Sequence, residues 1–148
     1  PHAMKYRMGT ALLGLAGMLI SVYLWMFKHG YSGTLACGTG GCATVQLSPY
    51  SKFLGVDVAV LGFLAYAALL GLAMLGLQPA WQERREPTRA ALLISGVGVL
   101  FAAYLTGLEL FVIHAICRWC VASAVIIVVV LAFALLDLRR LAPRTPPA

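Results

Sequence analysis

The sequence predicts an all-α integral membrane protein. The expected architecture is a four-transmembrane-helix bundle with a cysteine-bearing extracytoplasmic loop and a short half-helix between helices 1 and 2. Three observations carry that expectation. The 148-residue chain is 61% hydrophobic and 11% charged, with a mean hydropathy of +0.90, far too apolar for the surface of a soluble domain. Its apolar residues fall into four runs, each long enough to cross the hydrocarbon core as a helix. Its charges collect at the ends of those runs. The net charge of +6 therefore forms no single patch for nucleic acid, and no nucleic-acid partner is expected.

The first span is expected at residues 8–27, Met8–Phe27, without a charge and with Tyr23 and Trp25 toward its far end, where interfacial aromatics gather. The run is too long for the apolar region of a cleaved signal peptide. Residues 28–57 form the only long polar segment and are read as an external loop on or over the membrane surface. Gly38, Gly40 and Gly41 between Cys37 and Cys42 argue for a tight turn. Ser48-Pro49 signals a short helix, with Ser48 as cap and Pro49 in the first helical position. The second span, 58–77, is uncharged, and its small residues Gly62, Ala65, Ala68 and Gly71 allow close helix contact.

A polar link with Pro79 and Pro87 leads to the third span, 90–113, which carries one charge, Glu109, near its far end. The fourth span, 119–136, is rich in Val and Ile, but its length favours a helix over a buried strand. The basic, Pro-rich tail, 139–148, is expected to be disordered. One membrane domain covers residues 1–148.

Charge then sets sidedness. With four spans, the N-terminus, the second link and the tail share one side. That side collects Lys5, Arg7, Arg84, Arg85, Arg89, Arg139, Arg140 and Arg144, against Lys28, Lys52 and Arg118 on the other. The bias places both termini in the cytoplasm. All four cysteines then share the opposite compartment, the kind in which disulfides form and persist.

Cys117-Arg118-Trp119-Cys120 is the chemical centre of the sequence. Two thiols in C-x-x-C spacing close into a small ring and reopen at modest cost, often with one of them acidified. The motif sits at the mouth of the fourth span. Cys37 and Cys42 form a second close pair, and four cysteines are the whole inventory. Electrons passing between the pairs and ending on a lipid-soluble acceptor is the reading these positions suggest. The competing structural reading is a non-catalytic membrane scaffold braced by two disulfides. A zinc site fits poorly, because the pair spacings are only loosely ligand-like, and no metal is expected.

The four spans, the loop pair Cys37/Cys42, Ser48 six residues on, and Cys117-x-x-Cys120 opening the last span together resemble the vitamin K epoxide reductase family. The stretch from Tyr104 through Glu109 and Cys117 to Ser123 is similar to its prokaryotic members, and the resemblance runs from Met8 to about Leu138. It implies a bundle holding a quinone (ubiquinone, menaquinone or phylloquinone) near Cys120. It also implies a loop pair that takes electrons from a thioredoxin-like periplasmic or lumenal protein and passes them to Cys117/Cys120. Such an enzyme reduces a membrane quinone within the lipid bilayer and supports disulfide-bond formation, here from a bacterial inner membrane. The assignment of Cys37 to the outside partner and Cys42 to attack on Cys117 comes from the same resemblance.

Two positions depart from the vertebrate enzymes. Ala124 stands where they carry a tyrosine, and Val58-Ala59-Val60 where they carry an asparagine. Many prokaryotic members also carry a fused thioredoxin-like domain, which the sequence to Ala148 does not include. The other four-helix, quinone-linked disulfide oxidase family carries its C-x-x-C in the first external loop, the reverse of the order here.

Quinone reduction needs protons as well as electrons. Ser48 is a candidate hydrogen-bond donor to a quinone carbonyl. Glu109, the charge inside a span, is a candidate proton relay or electrostatic partner of Cys117. Trp119, Tyr104 and Phe111 are candidate walls of a ring pocket. Arg118 is a candidate stabiliser of a thiolate, and His114 a candidate acid.

Overall fold

The structure is a computed structural model that describes residues 2–31 and 41–141, with side chains from Met4 to Tyr31 and from Ala43 to Leu141. Five α-helices carry the fold: α1 (His2–Lys28), α2 (Gly41–Gln46), α3 (Val58–Leu77), α4 (Glu86–Leu108) and α5 (Arg118–Arg140). Four of them, all but the short α2, are long and apolar enough to cross a membrane. Leu12, Leu19, Leu64, Leu93, Leu100, Val125 and Val128 point outward and are exposed. Only a hydrocarbon surround makes that arrangement favourable over four helices at once.

The long helices form a ring in which α1 packs on α3 and α5, and α4 packs on α3 and α5. Tyr66 of α3 lies at the centre of the packing. Its ring covers Gly17 of α1, where an added Cβ would sit 2.5 Å from ring carbons. Its hydroxyl donates to the Ser123 carbonyl of α5 at 2.8 Å, with the Ser123 hydroxyl at 2.7 Å. One tyrosine thus ties three helices together and satisfies its own polar atom where water is scarce. Leu69, Ala91, Ile127 and Val130 complete this apolar centre. Among the small residues of α3, Gly62 meets Ser21 of α1, whereas a Cβ on Gly71 would meet nothing and Ala68 is exposed.

At one end of the bundle a buried polar cluster joins α1, α3, α4 and α5. Arg7 donates through Nε to Asp137 at 2.9 Å, and through its terminal nitrogens to the carbonyls of Gly76, Trp81 (3.0 Å) and Arg84 (3.1 Å) and to Thr88 Oγ1 (3.2 Å). All five N–H donors of the guanidinium are spent. Thr88 donates to Asp137 at 2.7 Å, and Arg140 reaches the other carboxylate oxygen at 3.0 Å. Arg7, expected as a flanking charge, is 6% exposed, and Asp137 is 3% exposed. The pairing also explains the length of α5. The helix runs past the apolar sequence through Arg140, so Arg139 and Arg140, expected in the disordered tail, are helical. Helix α4 likewise reaches back to Glu86, with Pro87 in its first turn, where its missing N–H costs nothing.

At the other end lie α2, the 3-10 turn Pro49–Ser51, and a two-stranded hairpin of β1 (Lys52–Phe53) and β2 (Val56–Asp57). Leu54 and Gly55 turn the hairpin with φ of 52° and 82°, the two-residue primed turn that matches strand twist. The polar loop is held to α1 by Lys28, whose Nζ lies 2.7 Å from Asp57 and 2.6 Å from the Ser51 hydroxyl. Phe53 rests edge-on against Phe101 of α4.

Candidate functional site

Both C-x-x-C thiols lie at the loop end of the bundle. Cys117 is the N-cap of α5 and is fully buried among Leu24, Val45 and Ala59. Its extended backbone (φ −94°, ψ 116°) turns the sulfur back over the first helical turn, where it accepts the Cys120 N–H at 3.3 Å. C-x-x-C spacing makes this possible, because a cap side chain meets the N–H of the third helical residue. The two thiols are free, not joined. The Cys120 thiol donates to the Cys117 sulfur and draws the Cys117 thiol below its ordinary range. Burial and the Glu109 carboxylate push the other way, and Gln46 assists. Arg118, which points outward, is not among the causes.

Glu109 explains how Cys117 comes to stand there. Helix α4 does not end cleanly; it widens into a π-turn over Glu109–Ile113 and stops at His114, whose φ of 57° is left-handed. The Glu109 carbonyl accepts from the N–H groups of His114 and Ala115, and its carboxylate accepts the Cys117 N–H at 3.2 Å. One buried residue (4% exposed) therefore closes α4 and places a negative charge at the start of α5, where the helix dipole favours it.

Two uncharged donors complete the site. Gln46, the last residue of α2, is 7% exposed. Its amide nitrogen lies 3.3 Å from Cys120 Sγ and 3.9 Å from Cys117 Sγ. Trp119 lies edge-on to Tyr23 with ring centres 5.2 Å apart. Its indole N–H is buried without a hydrogen-bond partner among the described residues, an orphan donor of the kind a ligand carbonyl satisfies.

A family model described as the vitamin K epoxide reductase family matches residues 9–135. The chain belongs to the vitamin K epoxide reductase family. Membership makes it a multi-pass membrane oxidoreductase acting on thiols. The match takes in α2, α3, α4 and the thiol-bearing part of α5.

In this vitamin K epoxide reductase family member, Cys37 lies outside the described residues, and Cys42 is described only through its backbone, in the first turn of α2. Ser48 precedes the 3-10 turn with Pro49 first, but its hydroxyl donates back to the Val45 carbonyl at 2.8 Å and does not cap that turn. Tyr104 packs on Phe53 and Phe101 and is half exposed, and Phe111 is 79% exposed. Neither belongs to the cluster around Cys117, whereas Trp119, Ile113 and Ala115 do. His114 faces outward as the left-handed stop. Sequence reasoning passed over Gln46. Its signal was a lone amide between Val45 and Leu47, one helical turn after Cys42.

Proposed function

We propose that this protein passes electrons from a thioredoxin-like protein, through Cys37/Cys42 and then Cys117/Cys120, to a membrane quinone. It thereby supports disulfide formation outside the cytoplasm. Both termini are cytoplasmic, and the membrane is a bacterial inner membrane. The observation that carries the proposal is the apposition of α2 and the free thiols. The short helix that begins beside Cys42 ends at an amide in contact with Cys120.

The chemistry follows from the residues. A partner dithiol exchanges with the Cys37–Cys42 disulfide, leaving an oxidised partner and two loop thiols. Cys42 attacks Cys117 of the Cys117–Cys120 disulfide, Cys37 then resolves the mixed disulfide, and the electrons rest on Cys117 and Cys120. Cys117, whose thiol is drawn below its ordinary range, leaves readily as a thiolate in that resolution. Re-forming the Cys117–Cys120 bond releases two electrons and two protons, which convert a quinone to its hydroquinone. Trp119 offers an N–H to a quinone carbonyl. Glu109, bonded to the Cys117 backbone, receives protons as the thiols are oxidised. Ser48 joins this set only if its hydroxyl leaves the Val45 carbonyl. Tyr104 and Phe111, on the outer face, are assigned to the lipid side of the site.

The test mixes purified protein with a quinone and a reduced dithiol and follows quinone absorbance. The expected result is one quinone reduced for each dithiol oxidised. A rate no greater than that without protein would overturn the proposal.

A further inference from the structure

We propose that Gln46 is a catalytic hydrogen-bond donor whose carboxamide bridges the two sulfurs of Cys117 and Cys120 and sets the redox poise of that pair. The inference rests on the thiol-relay reading above and adds to it a group that neither titrates nor reacts. The Gln46 amide nitrogen carries two hydrogens, and two sulfurs lie within its reach, at 3.3 Å and 3.9 Å. The side chain is buried, so no water competes for those hydrogens. The charged groups around the pair leave this task to an amide. The Glu109 carboxylate sits by Cys117 and opposes negative sulfur, while Arg118 points outward.

The donor acts unequally on the two redox states. Reduction of the pair takes two electrons and two protons and turns one S–S bond into two thiols, one of them inclined to ionise. Thiol and thiolate sulfurs accept hydrogen bonds better than disulfide sulfurs do, and the anion accepts best. Gln46 therefore stabilises the reduced pair and makes its disulfide easier to reduce, the same direction in which a stabilised reduced form makes a strong oxidant.

Position adds a second consequence. Gln46 and Cys42 are one turn apart on α2. The helix that carries the electron-donating cysteine thus also carries the amide that readies the accepting disulfide. Delivery and poise arrive together when α2 is docked.

The test uses the full chain with Cys37→Ser and Cys42→Ser, so that Cys117/Cys120 is the only couple. It is equilibrated with mixtures of reduced and oxidised dithiothreitol and read by thiol alkylation and mass. Gln46→Met keeps the volume and removes the N–H donors. It should shift the equilibrium about tenfold toward the disulfide, which is about 30 mV for a two-electron couple. Gln46→Glu, with acceptor oxygens in place of the donor, should shift it the same way and further. Thermal melts in detergent show whether each variant is folded. A folded Gln46→Met variant within twofold of the parent would overturn the inference, as would a Gln46→Glu shift toward the thiols. Neither quinone nor protein partner enters this measurement, so failure of the quinone proposal and failure of the Gln46 assignment give separate results.

Discussion

Replacing Arg7 by methionine tests the polar cluster at the end of the bundle away from the thiols. Methionine keeps the stem and deletes all five donors. The Asp137 carboxylate loses a partner at 2.9 Å while its side chain is only 4% exposed. Removing one member of a buried ion pair costs about 3–5 kcal/mol. Arg140 and Thr88 still donate to Asp137, which argues for the lower end, about 3 kcal/mol. Asp137→Leu should cost a similar amount by leaving the guanidinium unpaired. The double variant removes both charges, so its loss should fall short of the sum of the two by about 2 kcal/mol or more. The assay is reversible unfolding in mixed detergent micelles, read by circular dichroism for the parent, both singles and the double. Activity adds a control. Asp137 and Cys117 are separated by 20 residues of α5 and its cap, about 30 Å of helix. Turnover of the folded variants with a small dithiol should match the parent. Strictly additive losses, or a single-variant loss below about 1 kcal/mol, would refute the ion-pair account.

Other outcomes follow from the site. Cys117→Ser or Cys120→Ser should abolish quinone reduction with a small dithiol, measured by quinone absorbance, because both thiols are needed to deliver two electrons. Cys37→Ser and Cys42→Ser should lose most oxidation of a thioredoxin-like protein yet keep substantial turnover with a permeating dithiol; equal loss with both donors would make the loop structural. In a Cys120→Ser variant, a Cys42–Cys117 mixed disulfide should accumulate and appear in peptide mass spectra, and a Cys37 cross-link instead would reverse the loop assignment. The Lys28 ammonium, hydrogen-bonded to Asp57, holds that carboxyl below its ordinary value, with His29 adding to the effect against burial. Its contribution to loop docking is therefore complete above the unfolded carboxyl pKa of about 3.9 and is lost as pH falls through the lower folded value. Limited proteolysis by an acid-active protease should show the loop opening over that acid range, and Asp57→Asn should remove the pH dependence.

The membrane bundle was legible because its signal is local. Twenty apolar residues between charges, as in Val58–Leu77, leave a helix as the favoured way to satisfy the backbone in lipid. The thiol motif was legible for the same reason, since Cys117 and Cys120 are three residues apart. What sequence reading missed depends on distant pairing. Arg7 looked like a flanking charge because nothing near it in sequence announces Asp137, 130 residues away. Gln46 looked like loop polarity because its partners lie 71 and 74 residues downstream. Tyr104 and Phe111 looked like pocket walls from proximity to the motif. Tyr104 faces outward from regular α4, and the direction of Phe111 is set by the π-turn after Leu108.

That π-turn makes spacing itself a determinant of the site. A π-turn holds one residue more than an α-turn closed over the same stretch. An insertion between Glu109 and Cys117 that this wide turn did not absorb would rotate everything after it by about 100°. Glu109 would then no longer meet the Cys117 N–H, though every chemical group of the site remained in the chain. The stretch between Glu109 and Cys117 should therefore tolerate many changes of side chain and very few changes of length.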